Sequence, residues 1–405
     1  MTRTSVAIRS CQIETTAEQV YATVAALIDD IGGIPESIRS AKSVVVKPNW
    51  VGTLVASTPD RVKRHRGRLI NDTDPQVTEA VVRLIREANG SATIYLAEGL
   101  DQFSDWDPKR CWDLMDATPL RDKYGIELIH TDEGDVVDVP VPGGGLIHQF
   151  IRMRAEIAEA DAVVSVAKIK CHQTAGVTLS TKNLFGLVPA TRYGSSNRDL
   201  MHQNPFRLMR FFVDLAATLQ PNLAVIDGIV GANYTMEGEA YETEVILAGS
   251  DHVATDAVTM RVMGFDPAAN LPDAPFESAE NHIRLCAEVG LGVIDPAQID
   301  VVGPAPESFG NQFETHAEHP ADVSSKKLDG ARSAARTYLR LKDGLMRTHR
   351  GKYVFIVGDE VVASSESLKG MPDLGFFTNQ KGFGFAVQVL PDAEQPEIIE
   401  AYAGR

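Results

Sequence analysis

Residues 162–172 read Ala-Val-Val-Ser-Val-Ala-Lys-Ile-Lys-Cys-His, an apolar run that turns basic at its end. Its first six residues are small or β-branched and show no polar face. A strand built from them has to be covered on both sides, as strands are in a parallel sheet sandwiched by helices. Its end differs: Lys168, Lys170 and His172 recur every second residue, so they share one face of the strand as it leaves the core. Outward from this segment, comparable runs predict strands at Ser5–Ile8, Ser43–Val46, Thr93–Ala97, Ile126–His130, Leu223–Ile226, Val245–Ala248 and Gln298–Val302. Helical periods between them cover Ala17–Ile31, Pro75–Ala88, Arg110–Lys123, Arg152–Ala158, Pro205–Leu219, His252–Met263 and Ser278–Val289. Asp74-Pro75 suits a helix start and Asn89-Gly90 its end. The alternation predicts an α/β fold, a mainly parallel Rossmann-like sheet covered by helices.

Composition bounds the function. The chain has 405 residues, 44% hydrophobic, with 39 Lys and Arg against 55 Asp and Glu, a net charge of −16. This apolar content excludes a disordered chain. The acidic balance argues against nucleic acid or an anionic membrane as a partner, because binding to phosphates needs a basic surface. No run of about 18 apolar residues occurs. Arg9 breaks the first apolar stretch, so a cytoplasmic protein is expected. Cys11, Cys111, Cys171 and Cys286 are far apart with no Cys-x-x-Cys pair, so they are expected as buried or incidental thiols and no iron–sulfur cluster is expected.

The pattern divides the chain into an α/β core over residues 1–303, a linker or irregular wrap over 304–325, and a C-terminal α+β accessory region over 326–405. Within that region Lys326–Lys352 reads as one amphipathic helix carrying nine Lys and Arg against two Asp. It is expected to dock on the acidic body or to form a solvated face, with a contact for a homo-oligomer or protein partner as the alternative. A hairpin turning at Gly358-Asp359 and a strand at Gly384–Leu390 follow. Val51–Asp72 reads as a long loop over one sheet edge and Gly231–Glu244 as a lid-like or plain surface excursion.

Chemistry concentrates where the predicted strands end, which is where open α/β sheets bind ligands. Lys47 and Asn49, Glu98, His130 and Asp132, Asp227, and Asp251 each follow a strand. Helix capping and surface ion pairs account for some such residues; the rest are expected to converge on a polar pocket. Lys168, Lys170 and His172 on one face favour an anionic ligand, and crowded ammonium groups lower one another's pKa. The structural alternative is a solvated strand end whose Lys stems cover apolar surface. In Thr178-Leu-Ser-Thr-Lys-Asn-Leu-Phe-Gly-Leu-Val-Pro, Lys182 and Asn183 interrupt an apolar stretch, and a buried Lys needs a carboxylate or a bound anion. Asp251 reads as an N-cap or a ligand, and Asp256 lies beyond the first turn, where a cap is not its explanation. No phosphate-binding P-loop, Gly-x-Gly-x-x-Gly fingerprint, His-Glu-x-x-His helix or Gly-x-Ser-x-Gly elbow occurs. His316 and His319 read as linker residues rather than a metal site.

At these residues the chain resembles the domain of unknown function 362 (DUF362) family. The resemblance rests on Lys47-Pro48-Asn49, Asp72-Thr-Asp-Pro-Gln-Val, Ala97-Glu-Gly, Ala160-Asp-Ala-Val-Val-Ser-Val-Ala-Lys-Ile-Lys-Cys-His, Thr178-x-x-x-Lys-Asn-Leu-Phe-Gly, Asp227-Gly-Ile-Val-Gly and Gly249-Ser-Asp-His-Val-Ala-Thr-Asp-Ala, in that order. It covers about residues 40–303. Many members of the family carry a ferredoxin-like iron–sulfur module, and this chain lacks the Cys runs for one.

The leading functional expectation is an enzyme acting on a small carboxylate- or phosphate-bearing substrate by acid–base chemistry such as elimination, isomerisation or cyclisation. His172, Lys170 and Lys182 are the candidate proton-transfer groups; Lys47, Asn49, Lys168, Thr178 and Asn183 are the candidate substrate-binding residues. Glu98, Asp227, Asp256 and Asp251 are candidate ligands for Mg2+, the cation that an oxygen-rich set suits. The alternatives are a non-catalytic ligand-binding or scaffold protein that partners a biosynthetic enzyme, and an electron-transfer accessory.

Overall fold

The computed structural model describes residues 3–50, 62–99, 112–193, 201, 204–233, 239–315, 317, 320–368, 370–372 and 381–404. Eight strands form the path of a central sheet: β1 (Thr4–Ser10), β2 (Ser43–Pro48), β3 (Thr93–Glu98), β4 (Glu127–His130), β5 (Ala162–His172), β6 (Leu223–Ala232), β7 (Val245–Gly249) and β8 (Ile299–Val302). Their spatial order is β8-β1-β7-β6-β5-β2-β3-β4, and two further short strands, Gly176–Thr178 and Ala240–Tyr241, pair with β5 and β6. All neighbours on the path are parallel except β7, which runs antiparallel to both β1 and β6. The fold is the predicted α/β class, with a mainly parallel sheet between helices.

Helices α1 (Ala17–Asp30) and α2 (Pro75–Ala88) cover one face; α3 (Ser180–Asn183), α4 (Pro205–Leu219), α5 (His252–Met263) and α6 (His282–Glu288) cover the other. The period of two sorts the strand residues between these layers. Val44, Val46, Val164 and Val166 pack with α1 and α2, whereas Val45, Val163 and Ala167 pack with α4 and α5. α2 starts as its sequence dictates, with the Asp74 side chain accepting from the Gln76 N–H and Pro75 in the first turn.

Local pattern misplaces a few elements. Arg152–Ala158 is not a helix throughout: Phe150–Arg154 forms a hairpin with Val136–Pro140, and only Ala155–Ala158 is helical. The helix expected over Arg110–Lys123 is broken by a turn at 115–116: residues 112–114 are helical, Ala117–Tyr124 forms a second helix, and 110 and 111 lie outside the described residues. Ser278–Val289 narrows to α6, which Asn281 caps through the Ile283 and Arg284 N–H groups. Of the two long loops, 62–72 contains the paired strands Arg64–His65 and Arg68–Leu69, while 51–61 and 234–238 lie outside the described residues, as do Cys111, His316 and His319.

The basic segment forms helix α7 (Ala321–Thr348), which starts five residues earlier than expected. Ala331, Ala334, Ala335, Tyr338 and Leu345 are buried in the same apolar cluster as α4 and the three-stranded sheet of Tyr353–Val357, Glu360–Ser365 and Gly384–Gln388. Arg207 of α4 is buried in that junction, where it ion-pairs with Glu397 at 2.8 Å and lies over the Phe385 ring. Among the described residues no helix is long and apolar enough to cross a membrane.

Candidate functional site

Five of the residues singled out in the sequence form one buried chain of contacts around the carboxyl ends of β2, β3 and β5. Lys47 Nζ lies 2.7 Å from Glu98 Oε1 and 2.8 Å from Oε2. It also donates to the Pro48 carbonyl and, at 3.4 Å, to Asn183 Oδ1. Asn49 Nδ2 donates to the same Asn183 oxygen at 3.0 Å, and Lys170 Nζ donates to Asn49 Oδ1 at 2.8 Å and to the Asn71 carbonyl at 2.6 Å. Asn183 is held from below by its Nδ2, which donates to the Lys47 carbonyl at 2.8 Å and to Ser165 Oγ at 3.0 Å. Every member of this chain is buried.

A second buried pair sits beside it. Lys168 Nζ donates to Asp227 Oδ2 at 2.9 Å, and the same oxygen accepts the Asp74 N–H at 2.8 Å. Asp74 in turn meets Arg68 at 3.2 Å. Burial, helped by the charge of Asp227, pushes the Asp74 carboxyl above its usual range. The sequence pattern marks Asp74 only as a cap and misses Arg68 and Asn71. A signal for Asp74 is present, since it belongs to the Asp72-Thr-Asp-Pro run that opens α2 beside the strand ends.

This arrangement corrects the simple picture of free cations in a common pocket. The alternation of β2 and β5 sends Lys47 with Val45 to one face of the sheet, and Lys168 and Lys170 with Val164 and Val166 to the other. Lys47 and Lys168 each already hold a carboxylate, so neither ammonium is an unoccupied anion receptor. His172 is also engaged: its Nδ1 accepts the Thr174 and Ala175 N–H groups at 3.2 and 3.1 Å and closes the turn into Gly176–Thr178. Asp132 caps a short helix through the Ala190 and Thr191 N–H groups, and His130 Nδ1 accepts from the Asp132 N–H.

The four carboxylates do not gather. Asp251 follows the antiparallel strand β7, which carries it to the opposite end of the sheet from the β2 and β5 termini. There it caps α5 through the Ala254 N–H and accepts from the Val293 N–H. Asp256 accepts the Ser180 and Thr181 N–H groups at 2.7 and 2.9 Å and the Thr181 hydroxyl at 2.7 Å, which anchors α3. Burial pushes its carboxyl up to about 7. Glu98 accepts from the Trp50 and Gly99 N–H groups besides Lys47, and Asp227 from the Ile229 N–H besides Lys168 and Asp74. Among the described residues no group of three His, Cys, Asp or Glu is placed to hold a metal ion.

Lys182 is the exception to this pairing. It is partly buried in α3, its Nζ lies 5.8 Å from the centroid of the Phe212 ring, and it has no carboxylate or hydrogen-bond partner among the described residues. Burial brings its ammonium down to about 7, and the positive charges of Lys170 and Lys47 push the same way. Lys170 falls to about 8, mainly through burial, with Asp72 opposing. Among the described residues, Thr178 Oγ1, Ser180 Oγ and both ring nitrogens of His282 are buried without a hydrogen-bond partner.

Gly186 packs directly on the Lys47–Glu98 pair: a Cβ there would lie 2.5 Å from Glu98 Oε1 and 2.5 Å from Lys47 Cε. Gly186→Ala is therefore expected to cost about 1–3 kcal/mol by overpacking, measured as a lower urea midpoint with an unchanged slope. An unchanged midpoint would show that the pair is free to shift.

Comparison with known proteins places these residues in context. Residues 44–261 match the family model described as Domain of unknown function (DUF362). The thylakoid-associated protein sll1697 of Synechocystis sp. is 25% identical over 296 residues, which is 70% of this chain and 82% of that protein. Among solved structures, the lactate racemase apoprotein of Thermoanaerobacterium thermosaccharolyticum is similar with a TM-score of 0.38 and 12% identity, over 65% of this chain and 57% of that one. A Thermotoga maritima protein has a TM-score of 0.35 and 12% identity, over 67% of this chain and 59% of that one. In both cases the match spans less than two thirds of the solved chain.

Proposed function

The chain belongs to the DUF362 family, and we propose that it is an enzyme acting on a small carboxylate- or phosphate-bearing substrate, with Lys182 as the group that moves a proton. The observation that carries this reading is that Lys182 has no carboxylate or hydrogen-bond partner among the described residues, whereas Lys47 and Lys168 are paired. An amine held near 7 is half deprotonated at neutral pH, the condition in which a general base is effective. Among the described residues Lys170 donates to the neutral oxygens of Asn49 and Asn71, with Asp72 acting on it from a distance, so an anion near Lys182 and Lys170 offsets positive charge that direct ion pairs leave in place. Asn183, next in sequence to Lys182 and held by contacts from β2 and β5, sets the orientation of α3 against the paired network.

Base-assisted elimination, isomerisation and cyclisation of such substrates each include removal of a proton, in many cases from carbon. For the carbon case the step leaves an isotopic signature in the substrate itself, whatever the product. The test is incubation of the protein in D2O with a panel of small carboxylic acids and phosphate esters, followed by proton NMR. The expected result is loss of one C–H signal in at least one compound, with a rate that rises through pH 7 as the amine becomes free. A panel in which no compound exchanges, shifts or is converted would overturn the reading.

A further inference from the structure

We infer that Lys182 is an imine-forming lysine, whose amine condenses with the carbonyl carbon of a small 2-oxo acid while His282 donates a hydrogen bond to the carbonyl oxygen. The inference rests on the proposal that the surroundings of Lys182 are the active site, and it adds the substrate class and a covalent step. Three observations on separate elements support it.

Lys182 and His282 meet the same ring. The Nζ of Lys182 lies 5.8 Å from the centroid of Phe212, and the His282 ring packs edge-on to Phe212 at a centroid distance of 5.4 Å. His282 also packs against Phe276. The side chains therefore enclose an apolar wall with two nitrogen-bearing groups on it, from α3 and from the first residue of α6. The wall favours the neutral amine over the ammonium.

Neither group is used by the fold. Among the described residues Lys182 has no hydrogen bond or ion pair, and neither nitrogen of the buried His282 ring has a hydrogen-bond partner. A buried imidazole without partners is costly unless something binds it. Its position is nevertheless fixed, because the preceding Asn281 donates to the Pro267 and Ala269 carbonyls and accepts the Ile283 and Arg284 N–H groups. Asp256 fixes the other side by holding the start of α3.

The charge states suit the step. Burial, with the Lys182 charge adding to it, depresses His282 to about 3, so it is a neutral imidazole that donates one N–H rather than an acid that would protonate the amine. The amine lone pair attacks the carbonyl carbon, a C–N bond forms, and the carbonyl π pair moves to oxygen. A proton passes from nitrogen to that oxygen through solvent, and the carbinolamine then loses water to give the imine. One water leaves for each imine formed, and no electrons are gained or lost. Lys182 as a residue is half-buried rather than fully enclosed. The carboxylate of a 2-oxo acid offsets the charge of the iminium and of Lys170.

The test is reductive trapping of the full-length protein at pH 7 with glyoxylate or pyruvate and cyanoborohydride, read by intact mass and peptide mapping. The shift of Lys182 from 10.5 to about 7 raises its free amine about a thousandfold over an ordinary lysine at this pH, so a single adduct at Lys182 is expected before surface lysines react. Lys182→Met should remove that adduct. His282→Leu should slow trapping on the order of tenfold while His282→Gln, which keeps a donor, restores part of the rate. Labelling spread over surface lysines, or none at Lys182, would overturn the inference. Proton exchange without trapping would sink the imine alone, and trapping without any exchange or conversion would sink the acid–base reading alone.

Discussion

Glu98→Ala should destabilise the protein by about 3–5 kcal/mol, the cost of leaving one member of a buried ion pair without its partner. Lys47 and Glu98 are both buried, and the carboxylate meets the ammonium through both oxygens. Removal of the carboxylate strands the Lys47 charge and also leaves the Trp50 and Gly99 N–H groups without their acceptor. Burial already pushes the Glu98 carboxyl upward, and Lys47 is the main group that opposes it. The measurement is urea unfolding followed by circular dichroism. The double variant Lys47→Met, Glu98→Leu should recover much of the loss, because it removes both charges and keeps the volume. A single variant no less stable than the double would show that the loss comes from the backbone groups rather than from the stranded ammonium.

Lys182→Met should separate activity from stability. Loss of the proton-transfer group should lower turnover, or deuterium exchange, on the order of 10²–10⁴-fold. Stability should rise instead. The folded pKa of Lys182 lies near 7, below the 10.5 of an ordinary lysine, so between those values the unfolded chain binds the proton that the folded chain has released. In that window the stability of the wild type rises with pH. Below about 7 both states are protonated and the cost of burying the charge is at its full value. The advantage of Met is therefore largest in acid and neutral solution and vanishes as pH approaches 10.5. Because the side chain is partly exposed, solvent screening reduces the effect to on the order of 1–3 kcal/mol. Parallel unfolding curves at pH 6 and pH 10 test it. A variant less stable than the wild type at pH 6 would mean that Lys182 has an ionic partner in solution.

Much of the architecture is legible in the sequence because strand and helix periods are local. The strand Ala162–His172 is buried up to Cys171, as an apolar strand in a covered parallel sheet must be, and Pro75–Ala88 and Pro205–Leu219 begin and end where caps and prolines place them. The hairpin Val136–Pro140 with Phe150–Arg154 escapes a local reading because the apolar residues of Phe150–Ala158 fit a helical period about as well as an alternating one. The reversal of β7 escapes it as well. Only the pairing of Val245–Gly249 with β1 and β6 reveals its direction, and that direction removes Asp251 from the other strand ends.

Strand ends, segments too apolar to face water and the family resemblance are all readable from local sequence. Which side chains pair is set by packing between distant segments. Glu98 is 51 residues from Lys47, Asp227 is 59 from Lys168, and Asn183 is 134 from Asn49. Those pairings arise from the order of strands in the sheet, which no local period encodes. The same order sets Lys182 beside Phe212 with no carboxylate partner among the described residues, and a cation's partners are a property of everything packed around it.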